Sequence, residues 1–511
     1  MNPYRSTISL LVLPLTIQAF SCGGDGGSTA SDSQGNTVTA TTPPMTDPTS
    51  DTTPTSTMQT PTGSGTTDAD TGTAGNSAGE TTTGTTGPVG TTTTGVSATD
   101  TGTGTTGPVG TSTTTQTGTS GDDTTTTTGD TGNCQPGDTQ GMGDVEKSYL
   151  WVANSDEGSV SKVDTQKLLE IARYRTGPGG GGYAENPSRT AVSLDGRFVI
   201  VNGRQSGRST VIAANIDDCV DKNGNGKIET SQNKSDLLAW DADECKLWSI
   251  VHPIQVGNIG AGPRGVTWTP GTWDMDACAF KNPKVWVGYL PAQPGIAHVV
   301  RLDGATGAVE ETVVVNNWSQ GWTDYGPYGA ALDKDKNVWF TGLRGELFRI
   351  NTANNPATFD RWTPPPGTES YGMTVDPDGD AWMAGCSGPV TTYEPKLNKF
   401  TAVAGTSACY RGIAADHDGS VWVAENGVCG ITQIDHKTNQ LIKFHPTNPC
   451  GTPVGVSVDL EGFVWLVDES GWAWKIDPAN PGGMQKVDII GDHYTYSDMT
   501  GGQLKSVILP Q

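Results

Sequence analysis

Ser370-Tyr371-Gly372-Met373-Thr374-Val375-Asp376-Pro377-Asp378-Gly379-Asp380-Ala381-Trp382-Met383 is an apolar run, an Asp/Gly turn and a second apolar run. It reads as two antiparallel strands joined by a tight hairpin. Three other stretches read the same way. Pro327-Tyr328-Gly329 leads to Val338-Trp339-Phe340, Tyr410-Arg411-Gly412 to Val421-Trp422-Val423, and Pro453-Val454-Gly455 to Val464-Trp465-Leu466. The glycine precedes the tryptophan by ten residues in all four, and successive tryptophans stand 43, 40 and 43 residues apart. Further alternating runs follow, such as Glu346-Leu347-Phe348-Arg349-Ile350 and Thr358-Phe359-Asp360-Arg361-Trp362. Each unit is therefore a four-stranded meander of about 40 residues, the size of a propeller blade.

Three units upstream are less regular. One begins at Trp151 with no strand before it. The second, Pro187 to Asn202, has Arg189 in place of the glycine and Val199 in place of the tryptophan. The third runs from Pro263-Arg264-Gly265 to Val285-Trp286-Val287 with extra residues between. That makes seven. The first lacks its innermost strand, and the chain runs past the seventh through Tyr494 to Leu509. The expected fold is all-β, a seven-bladed β-propeller over residues 145–511, closed by a C-terminal strand that completes the first blade. Such closure removes free sheet edges.

The Gly-to-Trp repeat, with Trp422-Val423-Ala424-Glu425, resembles the streptogramin (virginiamycin B) lyases and the related NHL-type propellers. The resemblance covers Gly326 to Asp477 and, more loosely, Tyr149 to Leu302. It implies a seven-bladed ring. In those lyases a Pro-His-Gly histidine opens an innermost strand, with a glutamate and magnesium nearby. Here the residues before the repeat glycine are Arg264, Tyr328, Tyr371, Arg411 and Val454, and none is histidine; Glu425 matches the glutamate position.

Residues 1–22 read as an export signal: Arg5, then a mostly apolar Ile8 to Phe20, too short to span a bilayer. Ala19-Phe20-Ser21-Cys22 resembles a bacterial lipobox, with Ala19 where leucine is usual. The resemblance implies a diacylated Cys22. Gly23, where an inner-membrane retention aspartate would stand, implies the outer membrane or cell surface. Residues 23–140 are mainly Thr, Gly, Ser, Asp and Pro, and Thr85 to Gly90 recurs as Thr105 to Gly110. So little apolar surface leaves the segment disordered. As a flexible tether of about 110 residues it would span roughly 55–60 Å.

The formal net charge is −24 and no basic stripe occurs, which argues against nucleic acid as a partner. A monomer is expected. Of nine cysteines, eight remain once Cys22 is set aside for lipid, an even number in an exported chain. Cys386 and Cys409 hold places equivalent to Cys429 and Cys450 one unit later, which pairs them as 386–409 and 429–450. Cys219 and Cys245 bracket one loop and would close it. Cys134 and Cys278 remain by elimination.

That loop, Asp221-Lys222-Asn223-Gly224-Asn225-Gly226-Lys227-Ile228-Glu229, matches the first nine positions of an EF-hand-like calcium loop. Side-chain oxygens of Asp221, Asn223, Asn225 and Glu229 and the Lys227 carbonyl would aim at one point. Gln232 stands at position twelve, so Asp217, Asp218 or Asp236 would have to complete the set. Structural calcium pinning an insertion of blade two is expected.

The repeating tryptophans are read as inter-blade packing. Trp268, Trp273, Trp318 and Trp322 fall outside that register, as loop anchors or ligand contacts. The starts of the innermost strands lie at one mouth of the central channel, so Arg264, Tyr328, Tyr371 and Arg411 converge there, with Glu425 one strand outward. Forked guanidiniums and flat phenols suit an anionic or glycan ligand. No residue there has an ordinary pKa near neutrality, which predicts binding without turnover. The functional expectation is a surface-displayed lipoprotein binding module. A streptogramin lyase-like carbon–oxygen lyase and a purely structural surface protein are the alternatives.

Overall fold

The computed structural model describes residues 148–502, apart from 256–257 and 277–278. The export signal, Cys22, the tether, Cys134 and Cys278 lie outside the described residues.

The described chain is a seven-bladed β-propeller. Blade one contributes Tyr149–Asn154, Ser159–Asp164 and Leu169–Arg175; blade two begins with Pro187–Val192 and ends with Lys246–Val251. Blades three to seven start from Val266–Thr269, Gly329–Leu332, Gly372–Val375, Ala408–Ala415 and Pro453–Val458. All strand pairings within the blades are antiparallel meanders. Second strands such as Val338–Thr341 and Val464–Asp468 are buried at every position, because a neighbouring blade covers each face. This is why they read as continuous apolar runs rather than alternating ones. Outer strands such as Gln440–Pro446 are largely exposed.

The ring closes as expected, though less regularly. Trp151 N donates to Met499 O at 2.9 Å and Ser155 N to Asp492 O at 2.8 Å, so residues 492–499 lie innermost in blade one. On one flank Thr190 N donates to Tyr496 O at 3.4 Å. On the other, Met499 N donates to Ser457 Oγ at 3.1 Å. Trp465 and Val467 of blade seven share a core with Leu150, Val152 and Met499. The segment forms one isolated bridge, Arg189 to Tyr496, rather than a full ladder, because Ser497 turns the chain at φ +72°.

The repeat has a physical cause at each fixed position. The innermost strands crowd together at the axis. A Cβ on Gly412 would sit 2.5 Å from Val454 O, and one on Gly372 would run into Arg411 O. Ten residues on, the tryptophan indole donates to an aspartate six residues before it: Trp339 to Asp333 at 2.9 Å, Trp382 to Asp376 and Trp465 to Asp459 at 2.8 Å, Trp422 to Asp416 at 2.7 Å. The other carboxylate oxygen accepts backbone N–H groups of the hairpin turn, such as Asp418 N and Ser420 N on Asp416. One buried carboxylate thus fixes both the turn and the core aromatic. In blade three Thr269 stands at the aspartate's register position, two residues past the strand partner of Trp286, and the buried Trp286 Nε1 has no hydrogen-bond partner among the described residues.

All three expected disulfides with described cysteines are formed: Cys219–Cys245, Cys386–Cys409 and Cys429–Cys450. The second ties the short strand Cys386–Gly388 to the innermost strand of blade six. Each closes a loop of 21 to 26 residues, worth about 3 kcal/mol in the chain-entropy picture.

Candidate functional site

The axis is filled by arginine and tyrosine. The residue before each repeat glycine points there, and the closing segment adds Tyr494 and Tyr496. Tyr328 Oη bonds Tyr494 Oη at 2.9 Å, and Tyr371 Oη bonds both Tyr494 Oη and, at 3.2 Å, Tyr496 Oη. Arg411 Nη1 donates to Tyr371 Oη at 3.3 Å and to Tyr496 Oη at 3.2 Å. Arg264 lies over the rings of Tyr328 and Tyr325 at 5.1 and 5.3 Å. Arg264, Tyr328, Tyr371 and Arg411 therefore belong to one cluster.

Sequence reasoning missed five members, two of them Tyr494 and Tyr496 of the closing segment. Arg189 replaces the repeat glycine in blade two and stacks on Tyr496 and Tyr328 at 4.2 and 4.7 Å. Arg204 lies 4.1 Å from the Tyr494 ring. Glu469 of blade seven faces both Arg411 and Arg204. The signal for Arg189 was available, since blade two must put a side chain where blades three to seven have a glycine. Glu469 and Arg204 sit outside the repeat register and carry no such signal.

Depth divides the cluster. Arg189, Arg264 and Tyr328 are fully buried, while Tyr371, Arg411, Glu469 and Asp492 are half-buried. The latter four form the open end. Burial pushes the Tyr496 phenol up to about 12, so it remains a neutral donor. Burial, with Asp492 alongside, raises Glu469 to about 7. The expectation concerned ordinary pKa values, and Glu469 is a group outside the repeat register that its surroundings shift toward neutrality. Glu425 stands elsewhere: its carboxylate accepts from the Thr432 hydroxyl, and it lies beside Tyr410. Burial raises its pKa. Val454 packs against Tyr494 and Tyr496.

The blade-two insertion carries the second candidate. Asp221 Oδ1 accepts from Gly224 N at 2.7 Å and Oδ2 from Gly226 N at 2.8 Å. Asn225 Oδ1 accepts from Lys227 N, and the Asn223 and Asn225 amides both donate to Glu229 at 2.8 Å. Gly224 and Gly226 take φ of +74° and +78°, which the tight loop requires. Two of the three acids expected to complete the loop have other partners: Asp218 pairs with Arg197, and Asp236 accepts from Gln232 N. The carboxylate over the loop is Glu244, buried, accepting from Lys222 N at 2.8 Å and Glu229 N at 2.9 Å. Among the described residues no group of three or more Asp, Glu, His or Cys side chains gathers as a metal cage. The loop's oxygens come mainly from Asn and carbonyl groups.

Of the four out-of-register tryptophans, Trp268 and Trp318 are buried and donate to Ala191 O and Tyr325 O, both at 2.9 Å. They are anchors. Trp322 lies half-buried under Arg344, 4.6 Å away, and Trp273 packs edge-on against Phe280.

No family model matches this chain, and no curated protein does. Solved structures are similar to it. A catalytically inactive virginiamycin B lyase from Staphylococcus aureus with quinupristin is 15% identical, over 67% of this chain and 88% of that one, at a TM-score of 0.41. Apo AztD from Citrobacter koseri is 10% identical over 68% and 96%, at 0.45. A functionally unknown protein from Desulfotomaculum acetoxidans is 12% identical over 68% and 97%, at 0.46.

Proposed function

We propose that this protein is a lipoprotein binding module, anchored in the outer membrane through a diacylated Cys22. Its tether displays a monomeric propeller whose channel mouth takes an anionic ligand, an acidic glycan being the class best matched. The observation that carries this reading is the half-buried Arg411–Tyr371 pair, backed by Arg204, Arg264 and Arg189 deeper in the axis. Guanidiniums supply forked donors and the phenols supply flat apolar faces and hydroxyls. Half-buried at the mouth and held by the Tyr496 hydroxyl below it, the pair is preorganised to bind.

One observation favours a lyase as the second reading. Glu469, raised to about 7, has the pKa of a workable general base beside Arg411. Incubating the purified protein with a streptogramin B, with and without magnesium, separates the two. Intact antibiotic is expected, and metal-dependent ring opening would overturn the binding-only reading.

We infer also that calcium occupies the blade-two loop. Asp221, Asn223, Asn225 and Glu229 would supply side-chain oxygens, Lys227 its carbonyl, and Glu244 would hold the backbone of the loop. Affinity in the millimolar to micromolar range is expected for a loop lacking the twelfth-position glutamate. Calorimetry should show heat with calcium that Asp221→Ala abolishes; equal heat from wild type and variant excludes the site.

A further inference from the structure

Between blades three and four lies a cavity of about 340 Å³. Thr269 and Trp286 of blade three line it, with Lys284 and Arg301 beside them and Lys336 of the blade-four hairpin turn facing them. Thr269 and Trp286 stand in the register in which blades four to seven place an aspartate and a tryptophan bonded to each other. The cavity is thus where four other blades keep a carboxylate. Threonine is a bond shorter than aspartate, and the Thr269 hydroxyl turns to Lys284 O at 3.5 Å. Trp286 is 1% exposed, and its Nε1 has no acceptor among the described residues. A buried N–H without an acceptor is costly, so the cavity offers a strong donor to any group that can accept there.

The charges in the wall favour an anion. Arg301 lies over the Trp286 ring at 5.7 Å and is ion-paired with Glu310 and Glu311 at 3.1 and 2.9 Å. Lys284 is ion-paired with Asp303 and Glu310 at 2.8 and 2.7 Å. Both are neutralised in place. Lys336 differs. Its Nζ meets Gly271 O at 3.5 Å and the Phe280 ring at 5.0 Å, and it belongs to no ion pair among the described residues. Burial lowers its pKa, and no neighbouring carboxylate offsets that. The adjacent Asp335 is exposed. Gly271, Thr272, Thr352 and Ala353 complete the wall and leave room for a short carbon chain.

We propose that this cavity binds a small organic carboxylate whose oxygens stand in for the missing aspartate, accepting from Trp286 Nε1 and pairing with the Lys336 ammonium. The site shares no residue with the arginine–tyrosine cluster of the axis, so it stands or falls apart from the channel reading.

Propionate is the probe, titrated to tens of millimolar at constant ionic strength into the purified protein carrying isotope-labelled tryptophan. Trp286→Phe identifies the Trp286 indole N–H signal by its loss. Propionate should move that signal downfield, toward those of the carboxylate-bonded Trp339, Trp382, Trp422 and Trp465. Propionamide, uncharged and of the same size, should bind at least about tenfold more weakly, and Lys336→Gln should weaken propionate by a similar factor. Thr269→Asp supplies the carboxylate from the chain itself. It should place the Trp286 signal downfield without ligand and abolish the response to propionate. A Trp286 signal that propionate leaves unmoved overturns the proposal, as does equal affinity for propionamide or an undiminished affinity in Lys336→Gln. If Thr269→Asp fails to fold, the propionate, propionamide and Lys336→Gln comparison decides alone.

Discussion

Blade three and blades four to seven carry the same buried tryptophan, but only the latter give it a carboxylate. Trp339, Trp382, Trp422 and Trp465 each donate to an aspartate that also caps the hairpin turn, whereas Trp286 has Thr269 at that register position and no acceptor for its Nε1 among the described residues. A second contrast lies one residue from the repeat glycine. The glycine recurs because the crowded axis leaves no room for a Cβ, while its neighbour varies as Arg264, Tyr328, Tyr371, Arg411 and Val454. Positions that recur build the ring, and the variable one beside them sets the chemistry of the axis.

The largest test of the building half removes a part that does not recur. Blade one takes its innermost strand from residues 492–499, across the whole chain. Ending the chain after Gly491 leaves that blade's inner edge and the flanks of blades two and seven uncovered. Loss of cooperative urea unfolding is expected; a soluble, cooperative truncation contradicts the closure.

Next comes the carboxylate itself. Asp459→Ala deprives a buried indole and two turn N–H groups of their acceptor, at a cost of about 3 kcal/mol. A smaller and cleaner contrast compares two equal truncations. Trp465→Phe and Trp286→Phe remove the same volume, but only the first strips a donor from a buried carboxylate. Trp465→Phe should cost more by about 1–3 kcal/mol. Equal urea midpoints would mean that the Asp–Trp bond adds nothing.

The smallest effect concerns pH. His252 and His493 are buried and lowered to about 4. Depressed histidines stabilise fully above their unfolded pKa, and that contribution is lost as pH falls from about 6.5 toward 4. His493→Gln should flatten the acid limb of the stability profile. An unchanged acid limb in the histidine variant would assign acid unfolding to other groups.

Most of the ring was legible in the sequence because a repeat states its own geometry. The constant spacing gave blade count and strand order, and equivalent cysteine positions gave the 386–409 and 429–450 pairs. Legibility stopped where partners come from outside the register. Glu244 meets the calcium-like loop from 15 residues beyond Glu229, brought back by the Cys219–Cys245 bridge. Arg204 and Glu469 reach the axis from loops whose path the repeat does not specify.

The proposal that the variable position beside the glycine makes the axis an anion site is tested most directly by one titration. Calorimetry should compare an oligosaccharide of uronic acids with a neutral one of equal length, on wild type and on the half-buried Arg411→Gln. Binding of the acidic sugar, none of the neutral one, and at least about tenfold weakening in the variant are expected. Equal binding of both sugars, or full affinity in a folded Arg411→Gln protein, would contradict the account.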